Sequence, residues 1–269
     1  MALSPDDSTM TATSDVRLEH NTAGEVEAYL ETDDRILIPI GSVEQHGDHL
    51  PLGTDSFVAR ELALSAAEEL DVLVASQLWY GWSPHHMARG GTVTVDSDVL
   101  QDLAFEVVES LADHGFRNVV FVNGHRVVNV PWLQIAAERC KRELDVSVEI
   151  FDPAYMQKEV LDDLDVGTIG HGDPLETSHL MYLMPDAVDL DEAVDYEPDE
   201  GELHHVDPSD DRDTLAYVPG TVEEMRKLVE KSGGTKGNPS ESSEDVGRRL
   251  HEHLVDRLVT VLETMASEE

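Results

Sequence analysis

Cysteine is almost absent from this chain: Cys140 is the only one among 269 residues. A disulfide within the chain is therefore excluded, and so is a metal cluster held by several thiolates. Cys140 lies in a stretch with helical spacing, and we expect it to be a small core residue.

Long apolar runs are also missing. Residues 1–20 are polar and acidic without the apolar segment of a secretion signal, and no later run approaches the roughly 18 apolar residues of a membrane span. The sequence thus predicts a cytoplasmic protein without a membrane partner. We expect residues 1–20 to be a disordered or loosely attached arm, and residues 21–269 to form a single domain.

Basic residues are scarce, with 18 Lys and Arg, five of them Lys, against 57 Asp and Glu, for a net charge of −39. Such a surface repels nucleic acids and anionic membranes. Disorder is not the explanation, because apolar runs recur regularly along the chain. A dense carboxylate surface favours a cytoplasm at very high salt, where self-repulsion is screened. We therefore expect a salt-adapted, halophilic source such as a haloarchaeon.

Apolar runs and helical spacing alternate along the first half of the chain. Strands are predicted at 35–40, 72–76, 118–122 and 146–151, with a short edge strand at Thr92–Val95. Helices are predicted at 22–32, 56–70, 99–114, 131–143 and 245–266, the third capped by Ser97 or Asp98. Residues 192–215 are predicted to be an acidic surface loop and 231–244 a turn-rich loop. This order indicates an α/β fold with a mainly parallel sheet covered on both faces.

Potential metal ligands follow the first predicted strand, where Gly41 ends it. Glu44, His46, His49 and Asp55 fall within twelve positions. His125 follows the strand at 118–122, and His171 and Glu176 come from Gly170-His-Gly-Asp-Pro-Leu-Glu-Thr-Ser178. Because the carboxyl ends of parallel strands share one edge, these segments are expected to meet in one cleft. His and carboxylate ligands without thiolates suit Zn²⁺ or Mn²⁺, with Fe²⁺ as a further option.

The residue types suggest how such a site would work with two divalent ions. One carboxylate would bridge, His46 would bind one ion and His125 the other, and a hydroxide held between them would be the nucleophile. His171 would deliver a proton to a leaving nitrogen. Any single Glu-x-His pair is usually a solvated surface pair, so the prediction depends on three groups coinciding. His49 could bind metal or support the Glu44 loop.

Other histidines have less certain roles. His86, in an aromatic loop with Ser83, could line the pocket or cap the neighbouring helix. His251 and His253, on the last predicted helix, are expected at the exposed surface.

The motif Gly41-Ser-Val-Glu-Gln-His-Gly-Asp-His-Leu-Pro-Leu-Gly-Thr-Asp55 resembles Gly-Ser-x-Glu-Gln-His-Gly-Pro-His-Leu-Pro-Leu-x-Thr-Asp of the creatininase family. Asn123-Gly-His125 and His171 to Ser178 are similar to further motifs of that family, and the resemblance covers roughly residues 25–260. It implies a three-layer α/β/α fold, two divalent ions per subunit and a hexamer, often a trimer of dimers. Glu44, His46, Asp55 and His125 match family ligands, with Asp55 as the bridge.

Two positions depart from that pattern. Creatininase proper has a glutamate ligand two residues after the Asn-Gly-His histidine, where this chain has Val127. We expect Glu176 to replace it, acting both as a ligand and, with His171, in catalysis. Creatininase proper also has a tryptophan where this chain has Gly167, which puts activity on creatinine itself in doubt. Asn123 and Arg126 are expected in the pocket or behind the ligands.

The resemblance implies a metal-dependent amidohydrolase acting on a small molecule that contains a cyclic amide or a formamide-type C–N bond. Alternatives are a deformylase of a formylaminopyrimidine ribotide, for which Arg89 and Arg126 could clamp the phosphate, and a hydrolase of a cyclic keto-sugar. A metal-binding scaffold without catalysis is the alternative from another class, and an acidic nucleic-acid mimic would leave the clustered ligands without a purpose.

Overall fold

The computed structural model describes residues 15–164, 166, 169–198 and 220–267. Its sheet has four strands in the order β2-β1-β3-β4, namely β1 (Arg35–Ile40), β2 (Leu73–Val74), β3 (Asn118–Asn123) and β4 (Ser147–Phe151). All three pairings are parallel, with Ile36 opposite Leu73 in β2 and Val119 in β3. The two central strands, β1 and β3, are the ones that the candidate ligands follow.

The helices in chain order are α1 (Ala23–Tyr29), α2 (Thr54–Leu70), α3 (Ser97–His114), α4 (Val130–Glu143), α5 (Pro153–Met156), α6 (Lys158–Leu164), α7 (Pro174–Leu183), α8 (Val222–Ser232) and α9 (Glu244–Ser267). None of the described helices combines the length and apolar content needed to cross a membrane.

Side chains alternate across the sheet and bury two separate cores. Ile36 and Ile38 face one side with α3 and α4, whereas Leu37 faces the other with α2, α7 and α9. Cys140 is fully buried in the first core. Strand residues are thus apolar on both faces, as parallel sheets require. The predicted α/β/α layering is confirmed.

Two local predictions were wrong. Thr92–Val95 does not form a strand; Val93 makes only one antiparallel bridge, to Val43. The cap of α3 is Asp96, whose side chain accepts a hydrogen bond from Asp98 N at 3.0 Å. A cap must precede the first helical residue in extended backbone, and Asp96 has φ −61° and ψ 140°.

The predicted arm and acidic loop lie largely outside the described residues. Residues 1–14 are not described, but residues 15–20, also assigned to the arm, lie against the domain: Val16 is buried and Arg17 bridges Val74. Of the acidic loop at 192–215, only residues 192–198 are described.

Candidate metal centre

The candidate ligands meet at the carboxyl edge of the sheet. Glu44 and His46 lie on the loop after β1, and Asp55 lies in the first turn of α2, which that loop leads into. His125 follows β3, and Glu176 lies in the first turn of α7. Each of the five is buried or nearly so. The sequence prediction of one shared cleft agrees with this placement.

Gly124 explains how β3 and α2 come so close. A Cβ atom there would lie 1.9 Å from the Asp55 carbonyl oxygen, so only glycine fits. The backbone that carries His125 is therefore in direct contact with the backbone that carries Asp55.

The first group of possible ligands is Glu44, Asp55 and His125. The His125 Nε2 atom lies 3.3 Å from Glu44 Oε2, and its Nδ1 lies 3.1 Å from Asp55 Oδ2. One atom from each residue lies within 4.8 Å of the others. Two atoms bound to one zinc ion at tetrahedral angles would be about 3.4 Å apart, since each bond is about 2.1 Å. An imidazole binds an ion through one nitrogen, and the grouping of one atom from each residue within 4.8 Å is compatible with a shared cation.

The second group is His46, Asp55 and Glu176. His46 Nε2 lies 3.1 Å from Asp55 Oδ1 and 3.8 Å from Glu176 Oε2. Asp55 belongs to both groups, with one oxygen toward each histidine. This is the arrangement expected of a bridging carboxylate between two ions.

Unpaired polar atoms support a cation in this place. Glu44 Oε2, His46 Nε2 and Asp55 Oδ2 are buried without hydrogen-bond partners. His46 Nδ1 lies 3.2 Å from the Glu44 carbonyl oxygen, which only accepts, so Nδ1 carries the proton. Nε2 therefore faces two buried carboxylates, a position that requires positive charge, supplied either by a proton on Nε2 or by a divalent cation. The donor set fits Zn²⁺ or Mn²⁺.

The pKa values show the same demand for positive charge. Burial lowers the pKa of His46, but Asp55 outweighs it and raises that pKa to about 10. Burial acts likewise on His125, where Glu44 and Asp55 raise the pKa to about 9. Burial raises the pKa of Glu44 to about 7. In the absence of metal ions, protons on these residues therefore offset the negative charge of the buried carboxylates.

His171 lies beside both groups and forms a third group of possible ligands with Glu44 and His46. Its ring stacks on that of His46 with 4.4 Å between centroids, and its Nδ1 lies 3.8 Å from Glu44 Oε1. Nε2 contacts the Gln45 carbonyl oxygen and must therefore carry the proton. Burial holds the pKa of His171 well below 6.5, so the ring is neutral at pH 7. It presents a free lone pair toward Glu44, as a proton acceptor needs.

His86 belongs to the same cluster. Gln45 Nε2 donates to its Nδ1 at 3.1 Å, so its Nε2 carries a proton, 3.4 Å from Glu44 Oε1. Its ring stacks on His85 and on His171, each at 4.1 Å. Of the two roles considered for His86, the position in the cleft agrees with the pocket role.

The other predicted residues surround the ligands. His49 Nε2 lies 3.0 Å from Thr177 Oγ1, and His49 joins no ligand group among the described residues. Ser83 Oγ lies 3.2 Å from His125 Nε2. Asn123 Oδ1 accepts from His125 N, and its amide donates to Asp152 Oδ2 at 2.8 Å. The contacts of His49 and Asn123 hold the loops, whereas Ser83 reaches a nitrogen of His125, one of the possible ligands.

Val127, where the family glutamate is missing, has an unusual backbone. Its φ is +62°, a left-handed conformation that β-branched residues rarely adopt. Its N–H donates to Asp152 Oδ2 at 2.8 Å. Asp152, which sequence reasoning missed, thus holds both Asn123 and this strained turn.

His251 was predicted to be exposed, and that was wrong. It is 5% exposed, and its Nδ1 lies 2.9 Å from Nε2 of His179, a buried residue that the sequence analysis did not single out. The spacing of His251, Leu254, Leu258 and Leu262 along α9 places all four on one buried face. That periodicity could have identified it. His253, by contrast, is only partly buried.

Fold and site together define a class: an α/β protein with a candidate dinuclear cation site at the carboxyl edge of a parallel sheet, as in metal-dependent hydrolases. The family model described as creatinine amidohydrolase matches residues 19–262, so the chain belongs to the creatininase family.

Characterised relatives are hydrolases. The creatinine amidohydrolase of Pseudomonas putida is 30% identical over 78% of this chain and 86% of its own length. The 3-dehydro-scyllo-inosose hydrolase of Thermotoga maritima is 31% identical over 66% of this chain and 59% of its own length. A solved structure named creatininase Mn superposes with a TM-score of 0.74 at 25% identity, covering 93% of this chain and 98% of that one.

Proposed function

We propose that this chain is a metal-dependent amidohydrolase that opens a cyclic amide or cleaves a formamide-type C–N bond. The observation that carries the proposal is Asp55, which faces His46 with one oxygen and His125 with the other in a buried cluster of unpaired ligand atoms. Glu44, His46, Asp55, His125 and Glu176 would hold two ions. Such ions supply Lewis acidity, which lowers the pKa of water and polarises a carbonyl.

His171 is the proposed proton carrier. Its Nδ1 lone pair accepts the proton of the attacking water, and the resulting imidazolium donates it to the leaving nitrogen, so that the C–N bond breaks without expelling an amide anion. The Gln45 carbonyl oxygen holds the ring in the required tautomer throughout, since it accepts from Nε2. Glu44, 3.8 Å away, stabilises the charged ring.

The two arginines near the site bear on the substrate. Arg126 donates to Asp173 at 2.8 Å and to Glu176 at 3.0 Å. Arg89 is paired with Asp48 and donates to the Gly233 carbonyl oxygen. Neither is available to clamp a phosphate without breaking an ion pair, which favours an uncharged or cationic substrate over a ribotide.

A cyclic keto-sugar is the second candidate, because the Thermotoga maritima relative is named as a hydrolase of such a compound. Hydrolysis of a carbon–carbon bond would use the same nucleophile, and the leaving carbon would take its proton from His171 as a leaving nitrogen would. The two candidates therefore differ in the bond that is cleaved and in their products.

Product analysis tests the proposal. The metal-loaded chain would be incubated in molar KCl with creatinine, other cyclic amides, formamides, a formylaminopyrimidine ribotide and cyclic keto-sugars, with Zn²⁺ or Mn²⁺. Cleavage of a C–N bond is expected, and His171→Ala should lower kcat about 10²- to 10⁴-fold, as loss of a general acid–base group does. His253→Ala, on the partly buried side of α9, is the matched control. Tight ion binding without turnover of any compound would instead indicate a scaffold.

We also propose a homo-oligomer, a hexamer arranged as a trimer of dimers. Large apolar side chains are exposed along residues 79–93, in the segment before α3, which supports an interface there: Trp79, Tyr80, Trp82, Met87 and Val93. Light scattering on the eluting protein should then give about six times 29.7 kDa. A monomeric mass in molar salt would overturn this.

The charge of −39 supports a further proposal, that the protein serves the cytoplasm of a halophile. Melting temperature should rise steeply between 0.1 M and 3 M KCl, because screening removes the self-repulsion of the surface. A salt-independent melting temperature would refute it.

A further inference from the structure

Arg126 makes an unusual set of contacts beside the second ligand group. It follows His125 in the loop after β3, and its side chain is 9% exposed. The Nη2 atom lies 2.8 Å from Asp173 Oδ2, 3.0 Å from Glu176 Oε1 and 3.3 Å from the Gly170 carbonyl oxygen. A buried guanidinium with these partners joins the loop after β3 to the start of α7.

These contacts leave Glu176 little freedom. Arg126 forms an ion pair with Oε1, and the Gly172 N–H donates to Oε2 at 2.7 Å. The Glu176 N–H itself donates to Asp173 Oδ1 at 2.9 Å, which caps α7. Oε2 is thereby directed to within 3.8 Å of His46 Nε2. Val127, two residues after His125, offers no ligand atom, and the carboxylate that joins His46 and Asp55 in this group comes from α7.

We infer that Arg126 is a positioning residue that holds Glu176 in the group with His46 and Asp55, so that α7 completes the second ion site. This inference rests on the proposed two-ion hydrolase. Partners behind metal ligands commonly change metal affinity 10- to 100-fold when removed. Here the Arg126–Asp173 pair would play that part.

A rival expectation has the opposite sign. Arg126 is a cation close to a cation site, and its charge alone would repel the second ion. If Arg126 only neutralises the charge of Glu176, its removal should tighten binding of the second ion. The carboxylate would then attract the ion with its full charge, and the repulsion from the guanidinium would be gone. If it positions Glu176, its removal should weaken binding. The sign of the change therefore decides between the two.

The experiment measures ions per chain and affinity with Zn²⁺ alone. Wild type, Arg126→Met and Arg126→Lys would be dialysed in molar KCl against chelator-buffered Zn²⁺ and analysed for metal, followed by competition titration. We expect two ions in the wild type, and a second ion bound about 10- to 100-fold more weakly in both variants. Lysine keeps the charge but lacks the planar fork, so it should not rescue. Arg89→Met, which removes an arginine paired outside the ligand groups, should keep both ions.

Each outcome bears on a different statement. Unchanged or tighter binding of the second ion in Arg126→Met would overturn the positioning role and leave the two-ion hydrolase intact. Fewer than two ions in the wild type would overturn the two-ion site and this inference with it. Should Arg126→Met fail to fold, as judged from its melting curve without metal, the same comparison applies to Arg126→Lys.

Discussion

The contact between Gly124 and Asp55 gives a sharp test of how the site is built. A methyl group on residue 124 would begin 1.9 Å from the Asp55 carbonyl oxygen, whereas ordinary contact starts at 3.4 Å. The neighbour is backbone of a long helix and cannot rotate away, so β3 and α2 must separate by about 1.5 Å. Overpacking by one methyl typically costs about 1–3 kcal/mol, and we expect the upper end of that range.

A loss of about 3 kcal/mol corresponds to a fall in Tm of roughly 6–12 °C for a chain of this size. We would measure Tm of metal-free Gly124→Ala by circular dichroism in molar KCl, and its ion content by elemental analysis. Because the shift displaces Asp55, the bridging ligand, ion binding should fall as well. Gly24→Ala is the control, since a Cβ at Gly24 meets nothing within 4 Å. A Gly124→Ala chain that melts within about 2 °C of wild type and holds its ions would refute the reasoning.

Three further predictions concern stability. Val127→Gly relieves the φ of +62°, so it should not lower the free energy of unfolding even though glycine adds entropy to the unfolded chain. Val128→Gly should lower the free energy of unfolding by about 0.5–1 kcal/mol. Equal urea midpoints for the two variants would contradict this. Burial lowers the pKa of His251 to about 4, so the unfolded chain, with a histidine pKa near 6.5, takes up a proton that the folded chain refuses. The stability that His251 contributes should be complete above about pH 6.5 and decline toward pH 4, with about 1 kcal/mol lost at pH 5.5. His251→Gln should therefore show a flatter dependence of unfolding free energy on pH than His253→Gln. Chelation of Zn²⁺ should lower Tm by about 5–10 °C if the free ion exceeds its Kd by about 100-fold; an unchanged Tm would argue against tight ions.

The sequence predicted the ligand-bearing strands well because the local pattern dictates them. The run Arg35–Ile40 is apolar, is ended by Gly41 and forms β1 with the predicted bounds. Placement of Glu44, His46, Asp55 and His125 at one edge then follows from parallel topology.

Helix α7, which carries Glu176, was not predicted, and the reason is physical. Leu175, Thr177, Ser178, His179 and Leu180 are all buried, so polar and apolar residues do not alternate with helical period. The same burial hid His179. Likewise, the left-handed backbone of Val127 is imposed by its surroundings, including Asp152, and no propensity of valine indicates it.

The strand order β2-β1-β3-β4 also governs how the site comes into being during folding. β1 and β3 are neighbours in the sheet, yet α2, β2 and α3 lie between them in the chain. Pairing them costs the entropy of closing a long loop before stabilising contacts form, which makes parallel sheets slow to fold. Because His125 meets Glu44 and Asp55 only after that closure, the complete ligand set cannot form before it. Uptake of the ions is therefore a late event in refolding, and it reports that the native topology has formed.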